Sequence, residues 1–145
     1  MDENLLNRKL RGLANYQGSF AINELNQIKL RQNTLVAVNL DDRDSVGSHW
    51  IGLYIDKDKV IICDSLGGLM PTKVFPRNLV KFLYRLTQTR LLLITKQLQP
   101  KDSSLCGYYV VHFIKVLSSG SFNDFISVFS SNLQQNDVII KFLVK

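Results

Sequence analysis

Short apolar runs separated by polar clusters dominate the middle of the chain, and this pattern predicts strands. The runs are rich in β-branched residues, and they cover residues 34–40, 50–55, 60–63 and 91–95. The polar stretch 56–59 joins the second run to the third. We therefore expect these two strands to form a hairpin.

Apolar residues at helical spacing predict helices on both sides of the strand region. Leucines behind two acidic residues indicate an amphipathic helix over residues 3–14, and Gly18 ends that region. Pro76 suits the first position of a second helix, whose apolar face lies between residues 79 and 86. The segment from Cys106 is apolar nearly all round, which predicts a buried helix. Two further helices are predicted near residues 123–130 and 134–143.

This order of elements predicts an α+β fold with a mostly antiparallel sheet packed against the buried helix that starts at Cys106. The 145 residues are 46% apolar and 21% charged, so we expect residues 1–145 to form a single domain. The apolar runs are far shorter than the roughly 20 residues that span a bilayer. No secretion signal is visible, and no membrane contact is expected.

Cys106 is a candidate nucleophile because of its place in this pattern. It follows the polar loop 99–105 and begins the most apolar helix. Unpaired N–H groups and the positive dipole end at a helix N-terminus favour a thiolate. A thiolate is a nucleophile without help from a metal. A buried, inert cysteine is the competing interpretation, and position alone does not decide between the two.

The predicted hairpin adds a candidate base and its partner. His49 begins one strand and Asp64 ends the next, so the two residues nearly face each other across the ladder. In such a pair the carboxylate fixes the tautomer of the imidazole, and the imidazole pairs with the thiolate of Cys106. The alternative is a histidine and an aspartate that end strands by chance.

The other histidine and a metal site are weaker candidates. His112 lies six residues after Cys106, so on a helix it points about 120° away from the thiol. His49 is therefore the preferred base. No zinc-binding spacing links Cys63, Cys106, His49 and His112, and we expect no metal site.

Gln99 is a candidate for stabilising negative charge in the reaction. It lies seven residues before Cys106, at the end of a strand-like segment. From there its amide NH₂, with the backbone N–H of Cys106, would form an oxyanion hole. An ordinary surface glutamine is the competing interpretation.

Three segments taken together resemble the adenain family, the adenovirus-type maturation cysteine proteases. They are His49-Trp50, Asp64-Ser65-Leu66-Gly67 and the stretch from Gln99 to Gly107. The pattern is most similar to proteases of Maverick/Polinton elements and adintovirus-like viruses. The same order of histidine, acid, glutamine and cysteine occurs in the SUMO-specific, Ulp-type proteases. The resemblance extends from about residue 18 to residue 113.

The resemblance implies a role for each candidate residue. Cys106 would be the nucleophile, His49 the general base and acid, Asp64 the orienting acid and Gln99 the oxyanion donor. The implied architecture is the papain-like, circularly permuted fold of adenain.

The resemblance also implies a substrate and a setting. The expected activity is endopeptidase cleavage of viral capsid or core precursors near glycine-containing sites during virion maturation. It would require no cofactor, and the enzyme would act as a monomer. The virion and the infected host cell, in its nucleus or cytoplasm, are the expected locations.

Adenain is helped by DNA and by a peptide joined through a disulfide, so the resemblance raises the question of activators. The second thiol here, Cys63, is predicted on a buried strand. An activating peptide would therefore bind non-covalently.

The charge distribution bears on a DNA activator. The chain has a formal net charge of +6, and residues 66–101 carry seven basic side chains and no acidic one. Four of these form a candidate polyanion stripe: Lys73, Arg77, Lys81 and Arg85. Such a stripe binds phosphates without reading sequence. A solvated helix face is the competing interpretation.

Two other functions fit these observations. One is a protease of ubiquitin or SUMO-like modifiers, whose cleft would accept a Gly-Gly tail. The other is a catalytically idle nucleic-acid-binding domain that uses the basic stretch.

Overall fold

The computed structural model describes residues 1–41, 49–67 and 75–145. It contains one five-stranded sheet in the order β1-β2-β3-β4-β5. The strands are β1 (Tyr16–Ala21), β2 (Thr34–Asn39), β3 (Trp50–Ile55), β4 (Lys59–Cys63) and β5 (Leu91–Ile94). The α-helices are α1 (Glu3–Leu10), α2 (Arg77–Thr87), α3 (Cys106–Leu117), α4 (Phe122–Ile126) and α5 (Leu133–Leu143). A 3-10 helix, Ile22–Gln27, lies between β1 and β2.

The α+β class is confirmed, and the sheet is mixed where the sequence predicted it to be mostly antiparallel. The pairs β2–β3 and β3–β4 are antiparallel, and the predicted hairpin is present. The outer pairs β1–β2 and β4–β5 are parallel. Helical segments lie between the strands of each outer pair, and such crossovers return the chain to the same end of the sheet.

The inner strands β2, β3 and β4 are buried on both faces of the sheet, which explains why they are apolar at successive positions. In β2, Leu35 and Ala37 belong to the core that contains α3. Val36 and Val38 belong to the core that contains α2 and the 3-10 helix. Since alternate side chains of a strand point to opposite faces, two cores require a continuous apolar run.

Helix α3 packs close to β3, and Gly52 on β3 makes this close packing possible. A Cβ atom on Gly52 would lie only 2.7 Å from Cδ1 of Phe113. Phe113 is fully buried, so its ring has little room to move. The close packing of α3 on β3 brings the start of the helix, Cys106, beside the start of the strand, Trp50.

Two elements at the start of the chain differ from their predictions. Strand β1 passes through Gly18, which was expected to end a helical region, and Gly18 has a φ of +133° where the register shifts. This strand was missed because it is a half-buried edge strand with polar residues. Helix α1 stops at Leu10, short of the predicted residue 14, because Gly12 takes a left-handed φ of +88°.

Candidate active site

Three of the predicted site residues meet at one edge of the sheet. His49 immediately precedes β3, Asp64 immediately follows β4, and Cys106 is the first residue of α3. Gly52 pairs with Cys63, so the register carried one step further places Asp64 opposite Ile51, two residues from His49. The imidazole Nε2 of His49 lies 2.8 Å from Oδ1 of Asp64.

The thiol of Cys106 interacts with His49 and with the residue after it. Interaction with Cys106 is one of the causes that raise the pKa of His49, so the thiol acts on the same imidazole as Asp64. The backbone N–H of Trp50 donates to Sγ of Cys106 over 3.5 Å. The thiol therefore interacts with two consecutive residues, His49 and Trp50, where β3 begins.

These contacts shift both pKa values toward an ion pair. Burial lowers the pKa of His49, but hydrogen bonds to Asp64 and Cys106 and the charge of Asp64 outweigh burial and raise the pKa to about 9. Burial raises the pKa of Cys106, but the hydrogen bonds from His49 and Trp50 and the charge of His49 bring it below its ordinary value. A thiolate beside an imidazolium is the state that this geometry favours.

Asp64 is fixed from several directions. Its carboxylate is fully buried, and Oδ1 also accepts from the backbone N–H of Leu66 over 3.1 Å. The hydroxyl of Thr95 accepts from the backbone N–H of Asp64 and donates to its carbonyl, each over 2.9 Å. The carboxylate that orients His49 therefore has little freedom to turn.

Gln99 is fully buried, so the interpretation of an ordinary surface glutamine is wrong. Its amide oxygen accepts from the hydroxyl of Ser65 over 2.5 Å, and its NH₂ donates to the carbonyl of Ser103 over 2.8 Å. Its segment leads through the loop 100–105 directly to Cys106. The structure thus gives the amide one defined orientation in the segment that ends at the thiol.

Met1 makes two contacts beside the thiol that the sequence analysis did not predict. The indole N–H of Trp50 donates to the carbonyl of Met1 over 3.0 Å. A Cβ atom on Gly107 would lie 2.8 Å from Cβ of Met1, so glycine at this position admits Met1 against the start of α3.

Ser65 and Thr95 were also missed as partners of the site. Ser65 belongs to a segment that carried the family resemblance, but nothing in its spacing connects it to Gln99, 34 residues away. Thr95 ends a predicted strand, and only the pairing of β5 with β4 brings its hydroxyl to Asp64.

The remaining histidine and cysteine lie outside this cluster. The ring of His112 packs 5.3 Å from that of Phe125 and 5.8 Å from that of Phe129. Cys63 is fully buried, and burial raises the pKa of its thiol. Among residues 1–41, 49–67 and 75–145, no group of three or more metal-binding side chains is placed to hold a metal ion. No helix in these ranges has the length and apolar character needed to cross a membrane.

Three members of the candidate polyanion stripe lie on the exposed face of α2. They are Arg77, Lys81 and Arg85, and the opposite face buries Leu79 and Phe82. The fourth, Lys73, lies outside the described residues.

Comparison with known proteins identifies the family. Residues 32–142 match the Ulp1 protease family, C-terminal catalytic domain. The chain belongs to this family. The match includes His49, Asp64, Gln99 and Cys106, and it confirms the resemblance at the level of Ulp-type cysteine proteases. The narrower likeness to adenain and to Maverick/Polinton proteases stays a prediction.

One curated relative and two solved structures illustrate this similarity. Thiol protease R355 of Acanthamoeba polyphaga mimivirus is 33% identical over 96 residues, which cover 61% of this chain and 32% of that protein. The ASFV pS273R protease superposes with a TM-score of 0.62 at 14% identity, over 95% of this chain and 63% of that one. HopZ1a, solved with IP6 and CoA, gives a TM-score of 0.53 at 17% identity, over 92% and 44%. At these identities the two structures show a shared fold.

Proposed function

We propose that this chain is a cysteine endopeptidase in which Cys106 is the nucleophile, His49 the general base and acid, and Asp64 the orienting carboxylate. The observation that carries the proposal is the arrangement at the start of α3: Asp64 lies 2.8 Å from His49, and interaction with His49 lowers the pKa of Cys106. Family membership supports it, since the family is one of proteases.

The reaction follows from this arrangement. The thiolate of Cys106 attacks the carbonyl carbon of the scissile bond, and the electron pair of the C=O bond moves to oxygen. The amide N–H of Gln99 and the backbone N–H of Cys106 stabilise that oxyanion. When the C–N bond breaks, His49 gives its proton to the leaving amine and a thioester remains. Water then loses a proton to His49 and attacks the thioester; the C–S bond breaks, which releases the acid product and returns the thiolate beside the imidazolium.

The proposed substrates are capsid or core precursors of a virus or virus-like element, cleaved near glycine-containing sites as virions mature. The viral relative at 33% identity supports a viral setting. The enzyme would act in the virion and the infected cell, as a monomer and without a cofactor for its chemistry. Any activating peptide would bind non-covalently, since Cys63 is buried.

A second candidate, a protease of SUMO or ubiquitin-like modifiers, is favoured by one observation. The chain matches the Ulp1 protease family over residues 32–142, and it has the order of histidine, acid, glutamine and cysteine that SUMO-specific, Ulp-type proteases share. Its substrate would be a folded modifier with an extended Gly-Gly tail.

Side-by-side cleavage assays separate these functions. The chain and its Cys106→Ala variant are each incubated with a capsid precursor that contains glycine sites and with a modifier fused through Gly-Gly to a reporter. We expect the unmodified chain to cleave the precursor and the Cys106→Ala variant to leave it intact. Cleavage of the fusion alone would select the second candidate. Cleavage of neither, with Cys106 unlabelled by a thiol-reactive probe, would overturn the protease proposal and favour the nucleic-acid-binding alternative.

We also propose that Arg77, Lys81 and Arg85 bind a polyanion, with DNA as the expected activator. Their exposure on one face of α2 supports contact with phosphates. IP6, a compact polyanion present in the HopZ1a structure, is a useful second probe.

Turnover measured with duplex DNA and with IP6 at two salt concentrations tests the polyanion proposal. We expect DNA to raise turnover less at higher salt. Reversal of the three charges to Glu should erase the response, whereas reversal of Lys115, Lys141 and Lys145 should leave it. If neither DNA nor IP6 changes turnover, the polyanion proposal is wrong and the stripe is a solvated helix face.

A further inference from the structure

We propose that Ser65 is a positioning residue that holds the side-chain amide of Gln99 in the orientation needed for oxyanion stabilisation. This inference rests on the proposed function. It assigns to Asp64 and Ser65, neighbours on the chain, the support of two different steps: Asp64 orients the base, and Ser65 orients the oxyanion donor.

The contacts around Gln99 fix the direction of each hydrogen bond. The carbonyl of Ser103 can only accept, so the group that faces it at 2.8 Å must be the NH₂ of Gln99. The amide oxygen therefore faces Ser65, whose hydroxyl donates to it over 2.5 Å. Both Ser65 and Gln99 are almost fully buried, and water does not readily replace a partner that is lost there.

The backbone of Ser65 holds the same segment independently of its side chain. Its carbonyl accepts from the backbone N–H groups of Leu98 and Gln99, over 2.8 and 2.9 Å. These two bonds stay when the hydroxyl is removed. Replacement of the Ser65 side chain therefore tests the orientation of the amide and leaves the backbone in place.

The hydroxyl also affects the donor strength of the amide. An amide NH₂ carries two N–H groups, one of which goes to Ser103, so the other is the group assigned to the oxyanion. A hydrogen bond to the amide oxygen draws electrons away from the nitrogen, and linked hydrogen bonds strengthen one another. Without the Ser65 hydroxyl, the amide oxygen is left buried and unpaired, and the side chain is free to turn toward another donor.

Ser65→Ala is the test, measured on whichever substrate the unmodified chain cleaves. We expect kcat to fall about tenfold with KM nearly unchanged, since the oxyanion exists only in the transition state. Alkylation of Cys106 by iodoacetamide forms no oxyanion, so its rate should equal that of the unmodified chain. Ile140→Val, which removes one buried methyl group on α5, controls for a general loss of packing and should leave kcat unchanged.

A double variant connects the effect to Gln99. In a Gln99→Ala background, Ser65→Ala should cause no further loss of kcat, because the group that it orients is already gone. An unchanged kcat in Ser65→Ala, a further tenfold loss in the double variant, or a parallel loss of alkylation would each overturn the inference. Failure of the proposed function looks different: Cys106→Ala would then keep turnover, or Gln99→Ala would leave kcat unaffected.

Discussion

Two regions of this molecule use the same pair of residue types in opposite ways. At the edge of the sheet, the pKa of His49 is raised to about 9 and the pKa of Cys106 is lowered. Outside the site, fully buried Cys63 on β4 has a raised pKa, and half-buried His112 on α3 has a lowered one. The chain has only two cysteines and two histidines, so each type occurs once in each region.

Burial does not distinguish the two regions, because it favours the neutral form of all four groups. The difference is in their partners. Asp64 and the backbone N–H of Trp50 support the charged pair at the edge. By contrast, Nε2 of His112 is buried and has no hydrogen-bond partner among the described residues. Reactivity in this fold therefore depends on hydrogen-bonding partners more than on exposure.

Replacement of each cysteine by alanine should give the largest difference between the two regions. Cys106→Ala should lower kcat by a factor on the order of 10⁴ or more, because it removes the nucleophile. Cys63→Ala should keep the chemistry and lose only packing energy, about 1–2 kcal/mol. Turnover and mass-spectrometric counting of alkylated thiols measure both. If Cys63 in the folded protein is alkylated at a rate like that of Cys106, the two thiols do not differ in reactivity and the comparison is wrong.

Asp64→Asn should remove the partner that distinguishes His49 from His112. Without the carboxylate the pKa of His49 falls from about 9 toward its ordinary value, so the imidazole loses its proton at a lower pH. We expect kcat to fall by a factor on the order of 10³. The alkaline limb of the pH–rate profile should also move down from near 9. A profile with the alkaline limb in its original place would mean that Asp64 does not control His49.

His112→Phe should give the smallest effect and should act on stability alone. Removal of the unpaired Nε2 should raise the free energy of unfolding at pH 7 by about 1 kcal/mol. Because the pKa of His112 is lower in the folded state, the unfolded state binds more protons as pH falls below about 6.5. The unmodified protein should lose stability in that range.

Urea denaturation at pH 7 and pH 5 measures this effect. His112→Phe should lose less stability between the two values than the unmodified protein. Equal losses would show that His112 has a partner or is already protonated in the folded state.

Much of the fold is predictable because its inner strands are buried on both faces. Continuous apolar runs identified β2, β3 and β4, and the polar tip between the last two identified the hairpin. β1 escaped detection because an edge strand buries less and carries polar residues. The parallel outer pairs depend on crossovers, whose direction a local pattern does not encode.

Some residues of the candidate site are also predictable from local sequence patterns, and others are not. His49 and Asp64 are joined by one hairpin, and Cys106 begins one helix, so local patterns were enough to nominate them. Ser65 contacts Gln99 across 34 residues, and Thr95 contacts Asp64 across 31. These contacts form only when β5 pairs with β4, so no spacing in the sequence predicts them.

The rate of Cys106 alkylation as a function of pH tests the central claim, that hydrogen-bonding partners and not exposure make this thiol reactive. Both proteins measured carry Cys63→Ala, so that Cys106 is the only thiol; one of them keeps His49 and the other also carries His49→Ala. The protein that keeps His49 should react through a thiolate that forms below the ordinary pKa of cysteine, and His49→Ala should shift that transition upward. The same transition in both proteins, at the ordinary pKa, would contradict the claim.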